Sequence, residues 1–386
     1  MRSRAAVLVK FGAPLEIHEV EVADPGPDEV RVRILAAGVC GSDSKAQAGR
    51  NALYQEAPVV LGHESVGVVE SVGAGVVSVA PGDHVLISMN RACGRCPECA
   101  AGRAYLCTDT SRRLAVSGRM GDGRAPFRLA GREVPAFIGI GSFAEHVLVG
   151  ASMLVPVPAG HYEDALALLT CAVVTGVGAV RHVAGVRPGE TVLVVGCGGV
   201  GLNVVQGAVL AGASRIIAVD TNAAKLESAR QMGATDVLMP DGAMAEQVLA
   251  LEPGGVCHAF DATGADGMVA AAMASTRPGG TTVLVGSPAA RTVDVPPGLL
   301  FGGRVLRGCV GGNAVPAVDL PLLIRLLHAG RLRLEPLISE RIQLEQVNDA
   351  IERQRAGEVA RSLIVFDRHS APPDNRITHE VPSTSP

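Results

Sequence analysis

Thr191 to Asp220 reads TVLVVGCGGVGLNVVQGAVLAGASRIIAVD. The opening run, Thr191 to Val195, is apolar and mostly β-branched, which suits a strand. Gly196, Gly198 and Gly201 then fit a G-x-G-x-x-G turn, with Gly199 and Val200 inside it. In such a turn the first glycine bends the chain, the second lets backbone approach a pyrophosphate, and the third packs helix on strand. The helix that follows points its N-terminal N–H groups and positive dipole end at that anion. A second strand, RIIAVD, ends in Asp220, nineteen positions after Gly201 (220 − 201). An acid there bonds the adenosine ribose of NAD and repels the extra phosphate of NADP. A lone glycine motif is weak; strand, turn, helix, strand and acid together point to dinucleotide binding rather than a bend in an unrelated α/β chain.

No residue from Thr191 to Ser214 is charged, a length that suggests a membrane span of about 20 apolar residues. Six glycines, Asn203 and Gln206 fall inside it, so a strand buried on both faces and a packed helix explain it better. The 386 residues are 48% hydrophobic, ample for a large core and two domains. Basic (34) and acidic (38) residues are interspersed, with no basic block of the kind that binds nucleic acid or anionic membrane. The start, MRSRAAVLVKFGAP, lacks a long apolar segment with a cleavage site, so a cytoplasmic location is expected. There, nine cysteines point to metal or redox chemistry rather than disulfides. Tryptophan is absent and aromatics are 3%, so core and pocket must be aliphatic.

Around the central stretch the chain divides. Residues 1 to 90 carry short strand patterns (AAVLV, EVRVRILAAGV, SVGVVESVG, HVLISM) broken by Pro-Gly turns, which predicts a β-rich, barrel-like domain. Residues 111 to 135 read as a long polar, glycine-rich loop, and Tyr162 to Ala184 as an apolar helix. Strands are expected at 191–195, 215–219, 236–239, 256–261, 281–286 and 305–310, interleaved with helices. That pattern predicts a doubly wound parallel sheet of six strands. A helix after 319, a β segment at Ile338 to Ile342, a helix at Val347 to Ala356 and the strand SLIVF follow. The proline-rich tail from Ser370 is expected to be disordered.

Two constellations suit metals. Cys93, Cys96, Cys99 and Cys107 put four thiols in one short loop, as a closed structural zinc site or an iron–sulfur cluster would. Cys40 in GVCGSD, His63 in GHE and Cys171 in LLTCAVVTG are scattered. Two thiolates and an imidazole would leave a fourth tetrahedral position open, as catalytic zinc requires. Taken singly, each fits a buried structural residue as well. Cys197, Cys257 and Cys309 have no partner pattern.

From about Ala5 to Phe366 the sequence resembles the zinc-dependent medium-chain alcohol dehydrogenase family, of class I and class III type. The motifs that carry this are GVCGSD, GHESVGVVESVG, PGDHV, the four-cysteine lobe, CAVVTGVGAV, GCGGVG and GEVARSLIVF. The resemblance implies a GroES-like catalytic domain built from residues 1–175 and 319–369, a Rossmann NAD-binding domain at 176–318, and a tail at 370–386. It implies two zinc ions and NAD. Cys40, His63 and Cys171 would hold the catalytic zinc, with Glu64 an occasional ligand, and Asp43 would orient His63. Ser42 would take the alcohol proton, with Lys45 standing where a relay histidine is common. Thr175 would lie near the nicotinamide, Lys225 and Asp220 at the adenosine ribose, and Arg361 at the pyrophosphate or behind the metal ligands. Met89, Phe137, Ile138 and Val310 fall at pocket positions. Gly41 occupies a position that is often basic.

The implied activity is hydride transfer between an alcohol and NAD, assisted by zinc as a Lewis acid. Alternatives are a biosynthetic carbonyl or unsaturated-aldehyde reductase, a thiol-dependent formaldehyde dehydrogenase, or a zinc- and nucleotide-binding module without catalysis. The open Cys40, Ser42, His63 and Cys171 set argues against the last. The expected partner is a small alcohol or aldehyde, with neither nucleic acid nor membrane. A homodimer is expected, with the strand at Val305 to Val310 as a pairing edge.

Overall fold

The computed structural model describes residues 1–51, 56–109, 117–158, 164–287 and 292–366. The expected tail disorder, the start of the 162–184 helix, and parts of the pocket loops at 51–57 and 111–135 lie outside the described residues.

The apolar runs of the second half form six parallel strands. Their order is Asp236–Leu238, Arg215–Val219, Thr191–Val195, Val256–Asp261, Thr276–Leu284, Val305–Gly308. Thr191–Val195 is central, with Val192 opposite Ile216 on one side and His258 on the other. Val192 to Val195 are buried, as a strand covered on both faces requires. Strand order reverses here, which opens a crevice at the strands' C-terminal ends. The Gly199–Ala211 helix leaves from that crevice and ends at Gly212, whose φ of 78° is the usual left-handed stop. Its buried polar residues are satisfied: Asn203 Nδ2 donates to Gly199 O (2.7 Å) and Gln206 Nε2 to Arg333 O (3.1 Å). The uncharged stretch is therefore a folded core segment. Among the described residues no single helix is long and apolar enough to cross a membrane. One bent pair, Asp164–Thr170 with Ala172–Ala184, passes on length and composition. Its apolar side chains are buried against the sheets.

The first half builds two further sheets. One has five strands: Val59–Val60, Arg2–Leu8, Glu16–Val22, Phe127–Leu129 and Arg132–Val134. The other has seven and centres on Glu29–Val39, which pairs with Glu64–Val72 and His146–Gly150. The far end of the chain joins it, since Ser362–Val365 runs antiparallel with Ser362 opposite Val39. Leu363 and Ile364 are fully buried there.

Two expectations change. The polar 111–135 segment is not all loop, because Phe127–Leu129 and Arg132–Val134 form a hairpin on the five-stranded sheet. Ala130 and Gly131, both at positive φ, make its two-residue turn. Phe127 and Val134 are fully buried, a pull that the polar composition around them hides. The apolar run into Ala184 is broken into a 3₁₀ turn (Asp164–Thr170), an α-helix (Ala172–Gly178) and a π-helical end (Ala179–Ala184). The break falls at Cys171, whose φ of −137° and ψ of −72° are not helical.

Candidate active site

The short Gly41–Gln47 helix is capped by Cys40, whose backbone N–H donates to Asp43 Oδ2 (2.9 Å). Asp43 is completely buried, and its Oδ1 also accepts from Gly62 N (3.0 Å) and His63 Nδ1 (3.2 Å). That bond fixes the imidazole with Nε2 turned toward Ser42 Oγ, 3.2 Å away. Ser42 Oγ lies 3.3 Å from Cys40 Sγ. Phe137 backs the ring edge-on at 5.6 Å. Glu64 begins the next strand, and the helix break delivers Cys171 to the same point. The ligand atoms of Cys40, His63, Glu64 and Cys171, all buried, lie within 4.8 Å of one another.

Behind them sits Arg361. Its Nη2 donates to Glu64 Oε1 (3.2 Å) and its Nε to Oε2 (3.3 Å), and Nη2 lies 3.5 Å from Cys40 Sγ. Burial pushes the Glu64 carboxyl up to about 7 against the pull of Arg361. A hydrogen bond from the Cys171 thiol holds Cys40 well below the ordinary thiol value, helped by Arg361. Cys171 is pushed well up, first by the same bond and then by burial. Burial opposes charging His63, but Asp43 and Cys40 outweigh it and hold it well above the usual imidazole value. Two thiols and an imidazole whose second nitrogen is held by a carboxylate are a donor set that fits zinc.

The four-thiol loop closes likewise. Sγ atoms of Cys93, Cys96, Cys99 and Cys107 lie within 4.8 Å of one another. Backbone N–H groups reach three of them, at 3.3 to 3.5 Å. The N–H of Cys99, with that of Thr108, brings Cys96 down to about 6, while burial pushes Cys99 up to about 12.

The metal-ligand cluster opens on a cleft of ≈ 500 Å³ whose other wall is the glycine turn. Gly198, Gly199 and Val200 line it, with Thr175 and Lys225. Gly196 (φ 91°) bends beneath, and a Cβ on Gly201 would collide with the Gly196 carbonyl oxygen. Gly198 caps the helix without a side-chain bond and has open space beside it. Arg361 packs on Gly199 so closely that a Cβ there would strike its guanidinium. An uncapped helix start beside cations fits a pyrophosphate.

The structure does not draw every expected residue onto the lining. Met89 and Ile138 line the cleft, whereas Phe137 is fully buried behind His63. Val310 is 45% exposed and off the lining, where its neighbours Cys309 and Gly311 stand instead. Asp220 sits under the turn, accepting from Cys197 N (2.7 Å) and Asn222 N (2.9 Å). Lys45 lines the cleft and donates to the Ser287 carbonyl across it. Sequence reading missed Ser287, Gln354 and Arg355. Helix periodicity tells which face of Val347–Ala356 meets the core, not which polar residue overlooks a cleft built by other segments.

A buried thiol–imidazole metal set facing a dinucleotide turn defines a metal-assisted dehydrogenase of nicotinamide-linked type. Comparison with known proteins makes the class particular. Residues 26–159 match the family described as alcohol dehydrogenase GroES-like domain, and residues 199–329 match zinc-binding dehydrogenase. An S-(hydroxymethyl)glutathione dehydrogenase of Escherichia coli is 37% identical over 371 residues, 95% of this chain and 100% of that protein. An alcohol dehydrogenase zinc-binding domain protein from Burkholderia ambifaria is 32% identical with a TM-score of 0.88. Benzyl alcohol dehydrogenase from Acinetobacter calcoaceticus is 29% identical with a TM-score of 0.86. Each solved chain is covered completely, by 95% of this one. The chain belongs to the zinc-dependent medium-chain alcohol dehydrogenase family and is an oxidoreductase acting on alcohols.

Proposed function

We propose that the enzyme oxidises a small alcohol, or reduces the matching aldehyde or ketone, with NAD and two zinc ions. The observation that carries this is the Cys40, His63 and Cys171 cluster standing across one cleft from the Gly198–Val200 turn. When bound, zinc lowers the alcohol's pKa and the nicotinamide takes the hydride. Cys40, His63 and Cys171 would hold the catalytic ion, with Asp43 fixing the ring and Glu64 held back by Arg361. The lobe from Cys93 to Cys107 would hold a structural ion. Ser42 Oγ, beside both Cys40 and His63, would receive the substrate proton. The aliphatic Met89 and Ile138 would face the substrate's carbon skeleton. Asp220 beneath the turn supports NAD over NADP.

The catalytic unit is assigned to residues 1–175 and 319–369, supported by the pairing of Ser362–Val365 with Glu29–Val39. A cytoplasmic homodimer completes the proposal, and cell fractionation checks its location. A panel of alcohols and aldehydes with NAD, NADP and their reduced forms, followed by cofactor absorbance, tests the reading; no turnover across the panel overturns it. A second reading, oxidation of a formaldehyde–thiol adduct, is favoured by the name of the E. coli relative. Formaldehyde oxidation that rises with added glutathione supports it, and oxidation indifferent to any thiol rejects it.

A further inference from the structure

We propose that the side-chain amide of Gln354 is a phosphate contact of the dinucleotide cleft, making it a cofactor-positioning residue supplied by the C-terminal Val347–Ala356 helix. The assignment rests on the dinucleotide reading of the glycine turn. Among the described residues no carboxylate lines this cleft, whereas Lys45, Arg50, Lys225, Arg355 and Arg361 do. Besides Gly198–Val200, the lining takes three polar side chains from the C-terminal part of the chain: Gln354, Arg355 and Arg361.

Two of the three are already committed. Arg361 donates to both oxygens of Glu64 and to its neighbour's carbonyl, Ala360 O (3.0 Å). Arg355 donates to Gln47 Oε1 (2.6 Å), Ser44 Oγ (3.4 Å) and Glu352 Oε1 (3.4 Å). Gln354 makes no side-chain hydrogen bond among the described residues. Its Nε2 lies 3.1 Å from the point where a Cβ on Gly41 would stand. The missing side chain at 41 therefore leaves the room that the amide occupies. An amide has two N–H donors, and here they have no protein acceptor among the described residues, so an acceptor in the cleft can take them. A phosphate oxygen is such an acceptor. Because the donor is neutral, it would orient the phosphate without the grip of a cation, which suits a cofactor released on every turnover.

The test is binding, measured by calorimetry with NADH, NADPH, ADP-ribose and adenosine, on wild type, Gln354→Ala and Gln354→Glu. Gln354→Ala is expected to weaken NADH and ADP-ribose about tenfold, the usual scale of a bond to a charged acceptor. Gln354→Glu should weaken them further by setting like charges together. Adenosine, which has no phosphate, should bind all three alike. Gly41→Ala should weaken NADH about two- to threefold in wild type and not in Gln354→Ala, because the added methyl acts only by shifting the amide. Equal loss for adenosine would mean a damaged cleft and overturns the phosphate contact. Normal NADH affinity in both Gln354 variants overturns the assignment alone. Wild type that binds neither NADH nor NADPH overturns the dinucleotide reading, and Gln354's role with it.

Discussion

In the proposed proton path, Lys45 sets the pH dependence. Ser42 is the first group able to take the substrate proton, and something beyond it must receive that proton. A histidine near 6.5 suits the task, whereas an ordinary lysine near 10.4 is already charged at neutrality and can only donate. Burial lowers Lys45 against the opposing charges of Cys40 and Asp261, so its neutral form is reached at a lower pH than in a solvated lysine. Oxidation should therefore rise toward alkaline pH, and Lys45→His should raise kcat near neutrality severalfold, on the scale of about tenfold or more for a well-placed base. Profiles of kcat against pH for wild type, Lys45→Ala and Lys45→His check this; three superimposable curves place Lys45 outside the path. The proposed preference for NAD rests on Asp220. Asp220→Ala should narrow the NAD preference, and it removes the acceptor for Cys197 and Asn222, so a loss of about 1–3 kcal/mol in stability is expected as well. The ratio of kcat/KM for NAD and NADP decides: parity in the wild type would mean that Asp220 does not select. At this scale the sequence was legible where a residue type has one chemical use, as with His63 and its buried acid Asp43. It was silent on Gln354, whose meaning comes only from standing over Gly41.

The two clusters of metal-ligating side chains differ in what holds them. The four-thiol lobe has only a four-residue helix, Pro97–Ala100, and a single 3₁₀ turn at Ala104–Leu106. Of its apolar side chains few are buried, so little besides a metal can order it. The Cys40 site is instead seated in sheets and helices that pack without it. Cys99→Ser should then lower the melting temperature by several degrees, as a loss of a few kcal/mol does in a chain of this size. Cys40→Ser should abolish activity and leave a folded protein retaining about one zinc, since it touches only the open site. Metal analysis and thermal melts read both; one zinc in the wild type, or an iron–sulfur absorption band, would defeat the assignment. The glycine turn is tested by Gly201→Ala. Its methyl would strike the Gly196 carbonyl, so a loss of about 1–3 kcal/mol and weakened NADH binding are expected. Periodicity revealed the central strands Arg215–Val219, Thr191–Val195 and Val256–Asp261 because their apolar runs are mostly buried, and the outer strands followed from the alternation with helices. It missed the hairpin at Phe127–Val134, where two short strands carry only a few buried side chains, and it could not place the break at Cys171 inside one continuous apolar run.

For the molecule as a whole, pattern reading made the layers readable, while the joining of the distant ends came only through the family resemblance. Ser362–Val365 reads as an apolar strand anywhere; the register, Ser362 against Val39, shows that it joins the seven-stranded sheet. The edges of the sheets then bear on assembly. Val305–Gly308 ends the six-stranded sheet, and among the described residues no strand pairs with its outer side. Natural edge strands are usually shielded by charge, bulges or cover. Here Phe301 is 91% exposed and Leu300 49%, at the end of the helix just before that strand, and Val305 at its start is 40% exposed. These exposed apolar side chains support the proposed dimer contact. Two copies meeting edge to edge would continue one sheet across the pair and bury Phe301 from both sides, which is the self-complementary contact of a two-fold dimer. Light scattering should give a mass of twice 39.5 kDa. Phe301→Glu should shift the protein toward monomer at micromolar concentration, because burying two carboxylates against each other costs more than the contact supplies. A wild-type mass of 39.5 kDa would exclude the dimer. A stable dimer indifferent to Phe301→Glu would move the interface to another face.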